Sequence, residues 1–324
     1  MKRTERGAAL LVAMLVVTLV ATFAASALWQ QWRAVEVEGA ERSRMQAGWV
    51  LTGALDWSRL IIREDSRAGG SDHLAEPWAV PLQEARLSTF LASDSAGTDT
   101  SGVADDVFLS GAITDQQGLL NVTSLIESGH VSSKGVNSFR RLFSLLGLPA
   151  SQVDTMAENL RFANDISTDN QSAGQAPIAP QRTEQLAWLG IPQSTVTAIL
   201  PFVTVLPART PVNINTAPAE VIYAAVDGMT MADAQQLVAR RAQAPFRSTQ
   251  EAAQMFPQYA APLNDSLMVG VSTRFFEVRG RLRIDRLVVE ERSLLQRDGL
   301  NVTTVWRQRG VVDPAAIAQA GAAR

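Results

Sequence analysis

Between Arg6 and Arg33 the chain carries no charged residue: GAALLVAMLVVTLVATFAASALWQQW. Few folds accommodate such a run, because a helix that is apolar on every side has to be covered by lipid or by other helices. A helix from Ala8 to Trp29 rises about 33 Å at roughly 1.5 Å per residue, enough to cross a hydrocarbon core of about 30 Å. Lys2, Arg3 and Arg6 precede it and hold that end on the cytoplasmic side, while Trp29 and Trp32 fall where an interfacial aromatic belt sits.

The same residues also fit a secretory signal peptide, with Ala25-Ser26-Ala27 as the cleavage site and a mature chain starting at Leu28. The stretch that follows separates the readings. From Ala8 to Arg67 there is no proline, and beyond Trp32 good helix formers dominate, with Gly39, Gly48 and Gly53 the only glycines. Met45, Trp49, Trp57 and Leu60 share one arc of roughly 120°, which predicts an inner apolar face, with Glu41, Arg44 and Asp56 outside. One continuous helix is therefore expected over residues 8–67, membrane-spanning over 8–29 and amphipathic beyond.

A short basic leader ending in Gly7, an uncut apolar helix and an amphipathic continuation resemble the layout of type IV pilins and of the pseudopilins of type II secretion. The resemblance implies cleavage by a prepilin peptidase between Gly7 and Ala8, with Ala8 methylated. One position departs from the usual pilin pattern. The fifth mature residue, normally glutamate, is Val12, and among pseudopilins the minor pseudopilin K family characteristically lacks that carboxylate.

The rest of the chain narrows the match. Residues 68–122 read as loops around a short helix near Pro81 to Leu91, then a hairpin of Val107 to Thr114 and Leu119 to Val122 about the turn Asp115-Gln116-Gln117-Gly118. Residues 123–268 read as helical. SLLGLPASQVDTM and AWLGIPQSTVTAI repeat one pattern in which glycine ends a helix and proline precedes the next. In PVNINTAPAEVI, Asn215 or Thr216 is expected to cap a helix with Pro218 and Glu220 in its first turn, and a second helix follows from Met231. Over residues 269–310 the period returns to two, with Phe276, Val278, Leu282 and Ile284 alternating with Glu277, Arg279, Arg281 and Arg283. Residues 311–324 read as a tail.

RGAALLVAMLVV, ITDQQGLLNVTSL, FRRLFSLLGLP, TPVNINTAPAEVI and RFFEVRGRLRI together resemble the minor pseudopilin K family of the type II secretion system. The implied fold is α+β: a type IV pilin-like long N-terminal helix packed on an antiparallel sheet, with a large all-helical domain inserted into the sheet. The implied role is non-catalytic assembly at the tip of a periplasmic pseudopilus that drives folded cargo across the outer membrane. Its partners would be the minor pseudopilins H, I and J, the major pseudopilin G, the prepilin peptidase and the inner membrane. The family also implies calcium, a hard ion needing six to eight oxygen ligands. Glu158, Asn164, Asp165, Asp169 and Asn170 form the most oxygen-rich helix end, without EF-hand spacing.

Other chemistry finds little support. The chain has no cysteine, its two histidines lack metal-ligand spacing, and neither a nucleophile elbow nor a Walker loop occurs. The N-I-N-T-A-P stretch also looks like half of a helix-hairpin-helix DNA-binding module. From Pro211 to Phe256, however, Arg240, Arg241 and Arg247 face Glu220, Asp227, Asp233 and Glu251, a poor endowment for neutralising phosphates. The competing reading is a periplasmic binding protein, cut after Ala27, whose helical domain holds DNA or a peptide.

Overall fold

The computed structural model describes residues 6–89, 107–165, 173–284 and 287–311. Helix α1 runs unbroken from Arg6 to Ala68, 63 residues, and the sheet is built against its C-terminal third. Five antiparallel strands form the sheet in the order β1 (Leu82–Arg86), β2 (Val107–Asp115), β3 (Phe275–Ile284), β4 (Leu287–Asp298) and β5 (Asn301–Val311). Antiparallel neighbours joined by tight turns need no crossover, and Gly299, at φ +59°, turns β4 into β5.

The sheet contacts differ from the sequence expectation in two places. The segment near Pro81 is not a helix at its start: Leu82 to Arg86 form β1, the edge strand paired to β2. Nor do residues 107–122 form a hairpin. The carboxylate of Asp115 accepts the Gln117 N–H at 2.7 Å, which folds Gln116–Gly118 into a 3-10 turn and directs the chain away from the sheet. Leu120 and Asn121 then pair in parallel with Val203 and Thr204 inside the helical lobe. The insertion thus opens at Gln116, between β2 and β3.

The lobe contains α2 (Ser133–Leu145), α3 (Ser151–Ala163), α4 (Gln193–Ile199), α5 (Ala219–Ala225), α6 (Met231–Gln243) and α7 (Thr249–Met255). Gly147 and Gly190, at φ +68° and +82°, close the two repeated units in the left-handed conformation expected of them. Phe139, Phe143, Met156, Leu186, Val221 and Leu237 belong to one continuous buried core.

The sheet has two different faces. Phe276, Val278, Leu282, Val289 and Leu295 pack under α1 with Leu51, Leu55 and Ile62. On the opposite face Phe275, Leu294 and Trp306 meet Leu206 of the lobe. A register shift between Leu294 and Leu295 places a bulge in β5, which re-aims Arg307 and Arg309 toward α1.

Candidate functional site

Where a fold leaves large apolar side chains uncovered, that surface is a candidate for function. Along α1 the buried positions beyond the stem are Ala47, Gly48, Leu51, Leu55, Ser58 and Ile62. Small residues let the helix approach the sheet closely. A Cβ on Gly48 would come within 2.5 Å of an Arg309 nitrogen, and Leu51 lies over Gly280. Arg309 and Arg307 converge on buried Glu291 at 2.6 Å each, and Arg309 also donates to the Gly48 carbonyl at 3.2 Å. One flank of the helix is therefore held by apolar packing and the other by arginines.

Met45, Trp49 and Leu60, expected to pack on the sheet, point the other way, while Trp57 borders the groove between α1 and β2. Met45 is 62% exposed, Trp49 78%, Trp57 39% and Leu60 40%. At 100° per residue this arc centres about 180° from the buried one. Below it, Leu10 to Trp32 are exposed on every side, including Val12. This stretch is long and apolar enough to cross a membrane, with mean hydropathy 2.6 over its best window. Arg6, Gly7 and Ala8 lie at the start of α1, whereas Lys2 and Arg3 fall outside the described residues.

At the far end of α1 the sheet and the lobe are joined by buried polar groups. Asn213 donates to the Asp115 carboxylate at 2.9 Å and to the Asp72 carbonyl at 3.1 Å, and accepts from the Asn215 amide at 3.0 Å. Thr216 donates to the same Asp115 oxygen at 2.6 Å. Asn215 exchanges two hydrogen bonds with the backbone of Phe246. Neither Asn215 nor Thr216 caps α5, whose N-cap is Pro218, because Asn215 is bound to Phe246 within the lobe and Thr216 to Asp115 across the junction. The N-I-N-T element is thus a structural clamp. The hairpin after α5 is likewise bound internally, its carbonyls at Tyr223 and Met229 accepting from Arg141.

Asp65, Asp72 and Glu76 converge beside this clamp, with ligand-type oxygens within 4.8 Å of one another. Arg297 sits between the first two at 2.7 and 2.5 Å, and Glu76 accepts from Trp78 Nε1 at 2.7 Å. Burial raises the pKa of Asp72, Glu76 and Asp115 despite these donors. Asp72 and Arg297 lie far apart in sequence with no motif around them, so only the three-dimensional pairing reveals them.

The arginines of β3 are matched within the sheet. Arg281 pairs with Glu290 at 2.7 Å and Arg283 with Glu84 at 2.7 Å, while Arg279 lies 3.5 Å from Glu277.

Two sequence profiles, both described as type II secretion system (T2SS), protein K, match residues 118–208 and 212–274, which together span the inserted lobe and its clamp. Type II secretion system protein K of Pseudomonas aeruginosa is 27% identical over 328 residues, covering 95% of this chain and 90% of the relative. The protein of the same description from Pectobacterium carotovorum subsp. carotovorum is 26% identical over 333 residues, covering 96% and 98%. The chain belongs to the type II secretion protein K family. Its fold is also that of a chain in the GspK–GspI–GspJ complex from the enterotoxigenic Escherichia coli type 2 secretion system. The TM-score is 0.63 at 18% identity, over 84% of this chain and 98% of that one. As a member of this family the chain is a minor pseudopilin, and the binding-protein alternative is not favoured.

For this protein K family member, the residues considered for calcium are only partly in view. Glu158, Asn164 and Asp165 lie within two turns at the C-terminal end of α3, where the carbonyl end of a helix favours a cation. Glu158 is paired with Arg161 at 3.0 Å. Asp169 and Asn170 lie outside the described residues.

Proposed function

We propose that this chain caps the pseudopilus tip, joining minor pseudopilins H, I and J above a shaft of the major pseudopilin G. It takes part in the export of folded cargo without catalysing a reaction. The observation that carries this reading is the outward arc of Met45, Trp49 and Leu60 above a stem exposed on all sides. A large aromatic side chain as exposed as Trp49, with Met45 and Leu60 beside it, marks a surface that another protein covers. Val12 fits the end of a filament: a subunit with no carboxylate at this position makes no ion pair to a terminal amine ahead of it.

The test is co-expression of the full-length chain with its pilin-like partner subunits and affinity recovery of the complex. Trp49→Ala should reduce recovery at least about tenfold, the loss of one central aromatic anchor, while leaving the melting temperature of the head unchanged. Unchanged recovery would overturn the reading.

On the same reading, Lys2, Arg3 and Arg6 belong to a leader removed between Gly7 and Ala8, which leaves the periplasmic head on a single-pass stem. Mass spectrometry of the mature N-terminus should find N-methylated Ala8, and a start at Leu28 would contradict it. Calcium at Glu158, Asn164, Asp165, Asp169 and Asn170 is part of the proposal. Calcium should raise the melting temperature and a chelator lower it, with no change counting against the site.

A further inference from the structure

A hydroxyl sealed from water normally has a hydrogen-bond partner, because leaving it unpaired costs free energy. Ser293, in β4, is 1% exposed, and its Oγ has none. Side chains alternate along a strand, so Ser293 shares the α1 face of the sheet with Glu291 and Leu295. It lines a groove of about 290 Å³ between α1 and β2. The floor of this groove includes Gly111 of β2 and Gly280 of β3, register partners that put no side chain into the space beneath the helix. Trp78, edge-on to Phe276, lines it as well. Buried Ser293 belongs to its inner end, whereas Trp57, Val80 and Leu82 are exposed and give its opening an apolar rim.

We propose that this groove binds a small uncharged molecule, an apolar ring or short chain with one hydroxyl or carbonyl, whose polar atom hydrogen-bonds Ser293 Oγ. A serine hydroxyl both donates and accepts, so either group can pair with it. An apolar cavity of about 150 Å³ holds benzene, so the groove has room for a ring and a few further carbons. Charge on the ligand is disfavoured because the charged groups of the lining are already matched. Glu291 is held by Arg307 and Arg309 at 2.6 Å each, and Arg279 lies 3.5 Å from Glu277. An ion entering here would leave water without a counter-charge. A lone water suits the site less well, since a buried water takes two to four polar partners and Ser58, the other hydroxyl beneath α1, already donates to the Ala54 carbonyl at 2.9 Å. A molecule of the proposed class covers the apolar rim and completes Ser293 together.

The experiment uses the full-length chain in lipid bilayer discs, as wild type, Ser293→Ala and Ala54→Leu. Each is titrated with 4-propylphenol and with propylbenzene at matched free concentrations, and affinity is read from the rise in melting temperature. All three proteins sit in the same bilayer, so partitioning of a probe into lipid cancels between them. Both probes should stabilise the wild type saturably, with 4-propylphenol binding about tenfold more tightly through its one extra hydrogen bond. Ser293→Ala removes an unpaired hydroxyl, so the free variant should melt no lower than wild type, and it should bind the two probes equally. Ala54→Leu fills the groove and should bind neither. Absence of a saturable rise in the wild type, or equal affinity of the wild type for the two probes, would overturn the proposal. So would a tenfold preference that survives in Ser293→Ala, or binding that is unchanged in Ala54→Leu.

Discussion

Replacing Asn213 by alanine tests whether the N-I-N-T element is a clamp. The side chain is fully buried and makes three hydrogen bonds, one of them to a carboxylate. Its loss removes a bond to Asp115 of the charge-assisted kind, about 1.5–3 kcal/mol, and leaves the Asn215 N–H and the Asp72 carbonyl buried without this partner, each about 1 kcal/mol or more. The expected cost is about 4 kcal/mol, roughly a thousandfold in the folding equilibrium. In urea, at an m-value of about 3 kcal/mol/M, the midpoint should fall by more than 1 M. Asn213→Asp sharpens the test, because it puts a second carboxylate about 3 Å from Asp115 in a site where two buried like charges do not both ionise. Its deficit should exceed that of alanine at pH 7 and shrink more steeply on acidification as the pair takes up a proton, since alanine removes only one of the donors that hold the Asp115 pKa down. An alanine cost below about 1 kcal/mol, or an aspartate deficit independent of pH, would refute the clamp.

The wild-type head should itself gain stability on mild acidification. Asp72, Glu76 and Asp115 have raised folded pKa values, so the folded state holds their protons more tightly than the unfolded chain, and stability rises as pH falls through that window toward the ordinary carboxylate range. Glu127 and Asp265 are lowered by Arg209 and Lys134 and lose their contribution only at lower pH, so the urea midpoint should be higher at pH 5 than at pH 7. Gly135→Ala places a methyl 2.2 Å from the backbone oxygen of Ser124, so calorimetry should show a melting temperature several degrees lower, from a cost of about 2–3 kcal/mol. Glu291→Gln leaves Arg307 and Arg309 without their buried counter-charge at a cost of about 3 kcal/mol or more, and hydrogen exchange should quicken at Ala47 to Thr52, where those arginines hold α1.

What the sequence makes legible is whatever is periodic or local. The long helix, the left-handed glycines of the two repeats and the alternating strand at Phe275–Ile284 follow from spacing and turn chemistry alone. The hairpin at Asp115 misleads because a turn signature specifies a turn and not which strands pair across it. Here the carboxylate that starts the turn is also the acceptor for Asn213 and Thr216, a hundred residues away, and that long-range bond decides where the chain goes. The orientation of α1 misleads for a related reason. A hydrophobic arc on a helix reports that something apolar covers it, but not whether the cover is the chain's own sheet or another molecule. In this helix the sheet takes Leu51, Leu55 and Ile62 together with Ala47, Gly48 and Ser58, and the missing side chain at Gly48 allows the close approach that brings Arg309 to its carbonyl. Met45, Trp49 and Leu60 stay exposed on the other side. The face that looked most like a core is therefore one that the sheet leaves largely exposed.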